Sequence, residues 1–273
     1  MVTGGYIMKG FYEWARDLNS QELSRFSLVL KFPEHFHRCQ ELIRCDEESF
    51  EIFLNEKKYT IYRGEYILVH SFTPHLILDT GINTCYIIPV KYSNDYLQKV
   101  EHFQPVDPII RGENAKALDQ ILALYDLTVQ TRDVNTHSGR SEIASAGWTN
   151  LLLGKLLEII PFAELPPKIT ESRNILIETD RYVRAHYREH IDLDILAKHC
   201  GYSKSYYSSA INSILHTNLN KYINTYRVHR FIYHYDPKLP IDYQAEAMGF
   251  PSKQTFYRAF NEVCGCSPTE YFK

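Results

Sequence analysis

Hydrophobic residues between about positions 26 and 90 recur in short runs that turn residues interrupt. The clearest runs are 50–54, 59–62, 66–69, 76–78 and 85–88, and several of them alternate apolar with polar residues. Alternation with a period of two is typical of strands that bury one face, and the glycines at 64 and 81 supply turns. Many short strands at close spacing predict a small β-sandwich or barrel.

From about residue 113 to 160 the spacing of the apolar residues becomes helical. One stripe comprises Leu118, Ile121, Leu122 and Tyr125, and the other comprises Leu152, Leu153, Leu156, Leu157 and Ile160. The polar stretch 131–140 separates the two stripes, which predicts a helical hairpin. Packing against the β-rich part explains the stripes better than a seam with a second chain alone. One helix can bury two different faces, however, so we expect the hairpin to serve dimerisation as well.

Three prolines mark the boundary between the two halves of the chain. Pro161, Pro166 and Pro167 interrupt every periodic pattern, so 161–169 is the predicted interdomain linker. The sequence thus predicts a β-rich domain over 1–112, the hairpin over 113–160 and an all-α domain over 170–273.

The helical tail contains an internal repeat. Residues 197–202 (AKHCGY) and 245–250 (AEAMGF) share a small residue, a glycine four positions later and an aromatic residue, at an offset of 48. In a helix-turn-helix the glycine provides the positive φ that ends the first helix, and the aromatic ring seals the turn. A polar helix follows each copy, with buried positions predicted at Tyr207 and Ile211 and at Phe256 and Phe260. Two helix-turn-helix units are therefore predicted, at about 193–215 and 241–264.

From about residue 175 to 271 the chain resembles the AraC/XylS family of bacterial regulators. The resemblance rests on Tyr182-Val183, Leu193, Leu196-Ala197, Gly201-Tyr202-Ser203, Tyr222-Ile223, Arg227, Gly249-Phe250, Gln254-Thr255-Phe256, Arg258, Phe260, Gly265 and 267–271. It implies a DNA-binding domain of seven helices, in which a helix from Tyr222 to about Tyr235 joins the two units. The chain departs from the family pattern at Ser209, Ile211, His216, Phe231, Gln244 and Phe272.

Helix geometry selects the side chains that would contact DNA. In the second unit they are Lys253, Gln254, Tyr257 and Arg258, and in the first they are Lys204, Ser205, Ser208, Ser209 and Asn212. Glutamine pairs with adenine and arginine or lysine with guanine, whereas serines reach less far. We therefore expect the second unit to specify sequence and the first mainly to position the protein. Lys204, Lys221 and Arg227 are candidate phosphate contacts.

A histidine motif in the β-rich part resembles the metal motif of cupins. His35, His37 and Glu41 lie close in sequence, and ten residues separate Gly64 from His75, so a barrel would bring them together. Three histidines and a carboxylate suit iron, manganese or zinc, which makes a metal-dependent cupin enzyme with a helical appendage the alternative function.

The histidine motif departs from the enzymes, however, because three residues rather than four separate His37 from Glu41. Sensor domains that resemble this one keep such residues as remnants in a ligand pocket. We therefore interpret His35, His37, Glu41, Tyr62 and His75 as residues of a cupin-like, effector-binding β-barrel, and expect no metal or other cofactor and no catalytic residue.

Composition and charge are compatible with this interpretation. The net charge is −3, but residues 171–273 carry 13 Lys+Arg against 11 Asp+Glu, and the first 170 residues carry 17 against 22. The six cysteines form no C-x-x-C pair, which is typical of free thiols. With no signal peptide or membrane-spanning run, a cytoplasmic protein without a membrane partner is expected.

These patterns predict a ligand-responsive transcriptional regulator rather than an enzyme. Its predicted partners are double-stranded DNA, a small-molecule effector for which a sugar is one candidate, and a second copy in a homodimer. RNA polymerase is a further candidate partner. The sequence leaves open the effector, the operator and whether the protein activates or represses.

Overall fold

The computed structural model describes residues 11–13, 23–28, 32–55, 57–78, 83–89, 102–130, 140–215 and 217–273. The chain divides into two compact units. One comprises Asn19–Pro166, and the other combines Met1–Leu18 with Pro167–Lys273. Gly81, Thr131–Gly139 and His216, which belong to the predicted turns and hairpin and to the departures from the family pattern, lie outside the described residues.

Strands dominate the N-terminal unit, whereas β1 (Phe11–Tyr12) belongs to the C-terminal one. The strands are β2 (Ser24–Leu28), β3 (Phe32–Phe36), β4 (Gln40–Cys45), β5 (Ser49–Leu54), β6 (Lys57–Tyr62), β7 (Tyr66–Val69), β8 (His75–Ile77), β9 (Asn83–Ile88), β10 (Phe103–Pro105), β11 (Ile109–Ile110) and β12 (Phe162–Glu164). Within this unit β3, β8, β5 and β6 form one sheet in that order, and β11, β7, β4, β9 and β2 form another. Every pairing with a determined register is antiparallel.

The predicted cupin-like barrel is not confirmed, because the described strands form separate sheets and no closed barrel. A sheet-rich domain followed by a helical domain is nevertheless the architecture that the sequence predicts. Strand β5 illustrates this prediction: alternate side chains of a strand point to opposite faces, and the run 49–54 buries every second residue.

The sheet that contains β4 buries both of its faces. Ile43, Ile67 and Ile87 lie in one apolar cluster with residues of the other sheet, such as Phe50 and Ile52. Their neighbours on β4, β7 and β9 lie in a second cluster with the two helices that follow, α1 (Gly112–Gln130) and α2 (Arg140–Ile159); this second cluster includes Leu42, Leu68, Tyr86, Leu118, Leu122, Leu152 and Leu156. The predicted stripes therefore pack mainly on the sheet, although Leu157 is exposed.

The segment 161–169 contains more regular structure than a linker requires. Phe162–Glu164 form β12, which pairs with β10 through Gln104 and Ala163, and the next helix begins at Pro167. Proline suits the first turn of a helix because it has no N–H to leave unpaired there. The division between the two units falls between Pro166 and Pro167.

Seven helices make up the described residues 167–215 and 217–273, the number that the family resemblance implies. They are α3 (Pro167–His186), α4 (Leu193–Cys200), α5 (Lys204–Leu215), α6 (Leu219–His234), α7 (Ile241–Ala247), α8 (Lys253–Cys264) and α9 (Pro268–Tyr271). No helix in the described part of the chain is both long and apolar enough to cross a membrane.

Local chemistry sets the ends of these helices. Asp192, Asn218, Ser252 and Ser267 each accept a hydrogen bond from a backbone N–H in the first turn of the helix that follows. Gly201 adopts the left-handed conformation with φ of 78°, and Gly249 does so with φ of 86°. Both glycines of the sequence repeat therefore turn the chain as predicted.

Two departures from the family pattern belong to one aromatic cluster. Phe231 of α6 is buried, with its ring centroid 4.7 Å from that of Phe256 and 6.1 Å from that of Phe272. Phe272 in turn stacks on Tyr235 at 3.6 Å. The large side chain of Phe231 therefore packs against the aromatic ring of Phe272.

Candidate nucleic-acid interface and a buried histidine cluster

Helices α5 and α8 each have a buried face and an exposed polar face. Tyr207, Ile211, Phe256 and Phe260 are fully buried, as their spacing predicts. The predicted DNA-contacting residues lie elsewhere on the same helices; Lys204, Ser205, Ser209, Asn212, Lys253, Gln254 and Arg258 are exposed, and Ser208 and Tyr257 are half-buried. Positions three, four and seven apart share a helix face, so each helix presents a continuous polar surface.

An ion pair is repeated at the start of the two exposed helices. The Nζ of Lys204, the first residue of α5, lies 2.5 Å from Oδ2 of Asp194, and Lys253, the first residue of α8, pairs with Asp242. Each aspartate is the second residue of the preceding helix. The hydrogen bond to the carboxylate raises the pKa of each lysine. Both lysines are thus held at the edge of the polar surface.

One further residue of this surface is not among the predicted DNA contacts. Asn261 is exposed on α8, 49 positions after Asn212 on α5. The same offset relates Ser205 to Gln254 and Ser209 to Arg258. Applying the repeat to every polar position of the first helix would have identified Asn261.

Arg258 also lines a polar groove between α6 and α8. The groove has a volume of about 350 Å³ and is lined by Asn218, Asn220, Lys221, Asn224, Thr225, Arg258, Ala259 and Glu262. Lys221, a predicted phosphate contact, is exposed at this groove. The guanidinium of Arg258 and the ammonium of Lys221 therefore lie on one continuous surface.

The prediction that Arg227 contacts phosphate is wrong. Arg227 is 6% exposed; its Nε donates to the carbonyl of Tyr187 at 2.7 Å and its Nη2 to that of Glu189 at 2.8 Å. Burial lowers its pKa to about 10, which still leaves it charged at neutral pH. Arg227 therefore links α6 to the loop that follows α3.

The helices form two pairs, α4 with α5 and α7 with α8. The turn between α7 and α8 contacts the same loop. A Cβ at Gly249 would overlap the carbonyl of Tyr187 and lie 2.8 Å from Cα of Arg188, and the Arg227 guanidinium lies 5.9 Å from the ring centroid of Phe250. The two helix pairs are thus held in a fixed relation within the C-terminal unit, by α6 and by the loop after α3.

The N-terminal unit brings four of the five predicted effector-binding residues together. His35 of β3 is opposite His75 of β8, with 4.0 Å between ring centroids, and His37 and Glu41 join them. One ligand atom from each of these four side chains lies within 4.8 Å of every other. All four are at most 1% exposed.

Backbone carbonyls fix the orientation of two of these rings. Nδ1 of His37 lies 2.9 Å from the carbonyl of Cys39, and Nδ1 of His75 lies 2.9 Å from that of Thr73. Their Nε2 atoms lie 3.2 and 3.6 Å from the carboxylate of Glu41. A carbonyl can only accept, so each ring carries a proton on Nδ1 and points Nε2 at Glu41.

Tyr62 does not join the cluster. Its side chain is 59% exposed, and it pairs with Ser49 at one end of β5, whereas Leu54 at the other end pairs with His75. Five residues of strand separate these positions by about 17 Å. The sequence did not specify this register, so it could not show that Tyr62 lies at the far end.

Comparisons with known proteins identify a helix-turn-helix family and bacterial regulators. A family model described as a helix-turn-helix domain matches residues 196–273. An uncharacterised HTH-type transcriptional regulator of Staphylococcus aureus is 23% identical over 97% of this chain, which spans 33% of that relative. The Msm operon regulatory protein of Streptococcus mutans is 24% identical over 59% of this chain and 57% of its own length. The chain therefore spans less than two thirds of either relative.

Solved structures give weaker similarities. ToxT from Vibrio cholerae covers 92% of this chain at 11% identity with a TM-score of 0.47, and the match includes 98% of the ToxT chain. The AraC-like transcriptional activator CuxR covers 77% at 9% identity with a TM-score of 0.41, and the match includes 72% of its chain.

Proposed function

We propose that the chain is a helix-turn-helix regulator of the AraC type, which its residues 175–271 resemble, and that it binds duplex DNA through α5 and α8 and regulates transcription. The observation that carries the proposal is the repeated exposed surface of these helices. Each has a buried aromatic or aliphatic face, an opposing polar face and a lysine–aspartate pair at its start. Two recognition helices about one turn of DNA apart enter successive major grooves.

The two helices differ in what they offer to DNA. Gln254 and Arg258 on α8 have the hydrogen-bonding groups that pair bidentately with adenine and guanine, and both are exposed. The equivalent residues of α5 are Ser205 and Ser209, which are shorter. We infer that α8 specifies the sequence and that α5 mainly positions the domain.

Lys204 and Lys253 exchange partners on binding. In the free protein each pairs with an aspartate at the surface, an interaction that contributes little to stability. A DNA phosphate competes with the aspartate for the same ammonium group. Binding of the lysine to phosphate releases counterions from the DNA, which favours the exchange at low salt. The two aspartates then repel a misplaced phosphate, which favours one register of the protein on the duplex.

The N-terminal unit serves as the sensor in this proposal. An effector that binds there, a sugar being one candidate, changes the affinity for DNA, a coupling typically of about 1–3 kcal/mol. Homodimerisation through α1 and α2 is supported by their exposed apolar side chains, among them Leu124, Leu127 and Leu151. RNA polymerase is the partner that an activator of this kind would contact.

The alternative of a metal-dependent enzyme gains no support from the histidine cluster. A catalytic metal keeps one coordination position open to substrate. Here the four candidate ligands are at most 1% exposed, so none of them presents an open coordination position at the surface of the described residues.

The test is selection of bound duplexes from a random library by the full chain, followed by fluorescence anisotropy on the selected sequence. We expect a preference over scrambled DNA of at least about 1,000-fold, with affinity that falls steeply with salt. Arg258→Ala should lose much of the preference, whereas Arg181→Ala, an exposed arginine on α3, should retain it. Equal affinity for selected and scrambled DNA would refute the proposal.

A further inference from the structure

We propose that His35, His37, Glu41 and His75 bind a divalent first-row transition-metal ion inside the N-terminal unit. From the sequence we expect these residues to hold no metal, because the motif spacing departs from that of cupin enzymes. The structure shows that the departure does not prevent convergence: β3, β4 and β8 bring the donors together from three separate segments.

The separations suit a metal ion. The four candidate ligand atoms lie within 4.8 Å of one another. A tetrahedral ion with bonds of about 2.0–2.2 Å spaces its ligands by about 3.4 Å. Side-chain movements of about 1 Å or less would therefore bring all four donors into the coordination sphere.

The tautomers point the right atoms inward. Because Nδ1 of His37 and of His75 donates to a backbone carbonyl, it is Nε2 of each ring that faces the carboxylate of Glu41. A metal ion can accept a lone pair from each of these Nε2 atoms and from the carboxylate at the same time. The carbonyl bonds are those that commonly orient histidine ligands at metal sites.

The buried environment of Glu41 favours a bound cation. Glu41 alternates along β4 with residues of the opposite face, so it shares the inter-sheet side with Ile43, next to Ile87 and Val69 of the paired strands. A carboxylate in an apolar interior costs several kcal/mol unless an opposite charge accompanies it. A divalent ion provides that charge and binds the three imidazoles at the same time.

The donor set narrows the class of ion. Three imidazole nitrogens and one carboxylate oxygen suit zinc, iron, cobalt or nickel better than magnesium or calcium, which prefer oxygen. Cys39 is not part of the set, because its Sγ lies 3.6 Å from Nδ1 of His37, the ring nitrogen that points away from Glu41. The nitrogen-rich donor set thus favours divalent transition metals over magnesium and calcium.

Cobalt binding to the untagged full chain tests the proposal. After removal of metals with a chelator, titration with Co²⁺ should produce visible d–d absorption that saturates at one ion per chain, with a melting temperature that rises with Co²⁺ concentration. Glu41→Gln and His75→Gln should each weaken binding by more than about 100-fold. His70→Gln replaces a buried histidine that lies outside the cluster, and it should bind Co²⁺ like the wild type.

The result that overturns the proposal is a folded wild-type chain, as judged by circular dichroism, without saturable Co²⁺ absorption. An equal loss in His70→Gln and His75→Gln would overturn it as well. If protons rather than a metal bridge the cluster, no d–d bands appear. Metal binding is measured without DNA, so this result and the outcome for DNA binding are independent.

Discussion

Gly249 packs directly against the backbone carbonyl of Tyr187, the same carbonyl to which Arg227 donates a hydrogen bond of 2.7 Å. The turn of the second helix pair and the helix that joins the two pairs therefore meet at one peptide group. That peptide group follows α3, and α3 packs on α4 and α5. The contact therefore links the turn between α7 and α8 to the first helix pair.

Replacing Gly249 with alanine should destabilise the protein by about 3 kcal/mol or more. The new Cβ would overlap backbone atoms of Tyr187 and Arg188, and the residue has a φ of 86° that alanine resists. Urea denaturation measures the change. Gly265→Ala is the matched control: its φ is 73° but no atom lies within 4 Å of the added Cβ, so a loss of only about 1–2 kcal/mol is expected. Equal losses would contradict the packing argument.

Gln244→Leu should destabilise the protein although the family pattern usually has an apolar residue there. The buried amide accepts from the N–H of Asp236 and donates to the carbonyls of Asp236 and Leu239, each at 2.9 Å. Leucine leaves those backbone groups without this partner, at a cost of about 1–3 kcal/mol in the free energy of unfolding. Gln254→Leu, at an exposed position of α8, should change it by less than about 0.5 kcal/mol. A stabilised Gln244→Leu would show that burial of apolar surface outweighs these bonds.

Arg258→Ala and Ser209→Ala should differ in their effect on DNA recognition. Loss of a bidentate arginine costs about 1–3 kcal/mol of discrimination, or roughly 10- to 100-fold, whereas loss of a serine at the equivalent position of α5 should cost less than about 3-fold. Competition between selected and point-mutated duplexes provides the measurement. Comparable losses from the two variants would show that both helices specify sequence.

Stability should fall as the pH decreases from about 6.5 to about 4 because of His229. Burial lowers its pKa from 6.5 to about 4, so the unfolded chain binds a proton in this range that the folded chain does not. The contribution is fully present above pH 6.5 and is lost progressively as the pH falls. Since part of the side chain is exposed, we expect a loss of about 1–3 kcal/mol. Denaturation at several pH values should give a shallower dependence for His229→Gln; parallel curves would contradict this assignment.

The helical unit was largely predictable because its determinants are local. Tyr207, Ile211, Phe256 and Phe260 are buried where a period of 3.6 places them, and Gly201 and Gly249 have the positive φ that the turns require. The role of Arg227 was predicted wrongly because its contacts are not local. A helix position specifies which face a side chain lies on only after the neighbouring helices are known, and for Arg227 that neighbour is a loop 38 to 40 residues away.

In the N-terminal unit the strands could be inferred, but their pairing could not. Alternation along a segment such as 49–54 identifies a strand and its buried face without reference to its partners. It does not say which strands are adjacent or in what register, and this pairing separates Tyr62 from the other candidate ligands and leaves the sheets open.

The histidine motif shows most clearly what the local sequence determines and what depends on the tertiary structure. By itself the sequence determined that His35, His37, Glu41 and His75 are residues capable of binding a ligand, and that helices with exposed polar faces follow. Only the tertiary structure decided that these four side chains converge, buried, with both Nε2 atoms facing one carboxylate. The physical reason is that side-chain chemistry and periodicity are local properties, whereas the distance between donors depends on strand register and on packing between sheets, which many distant residues set together.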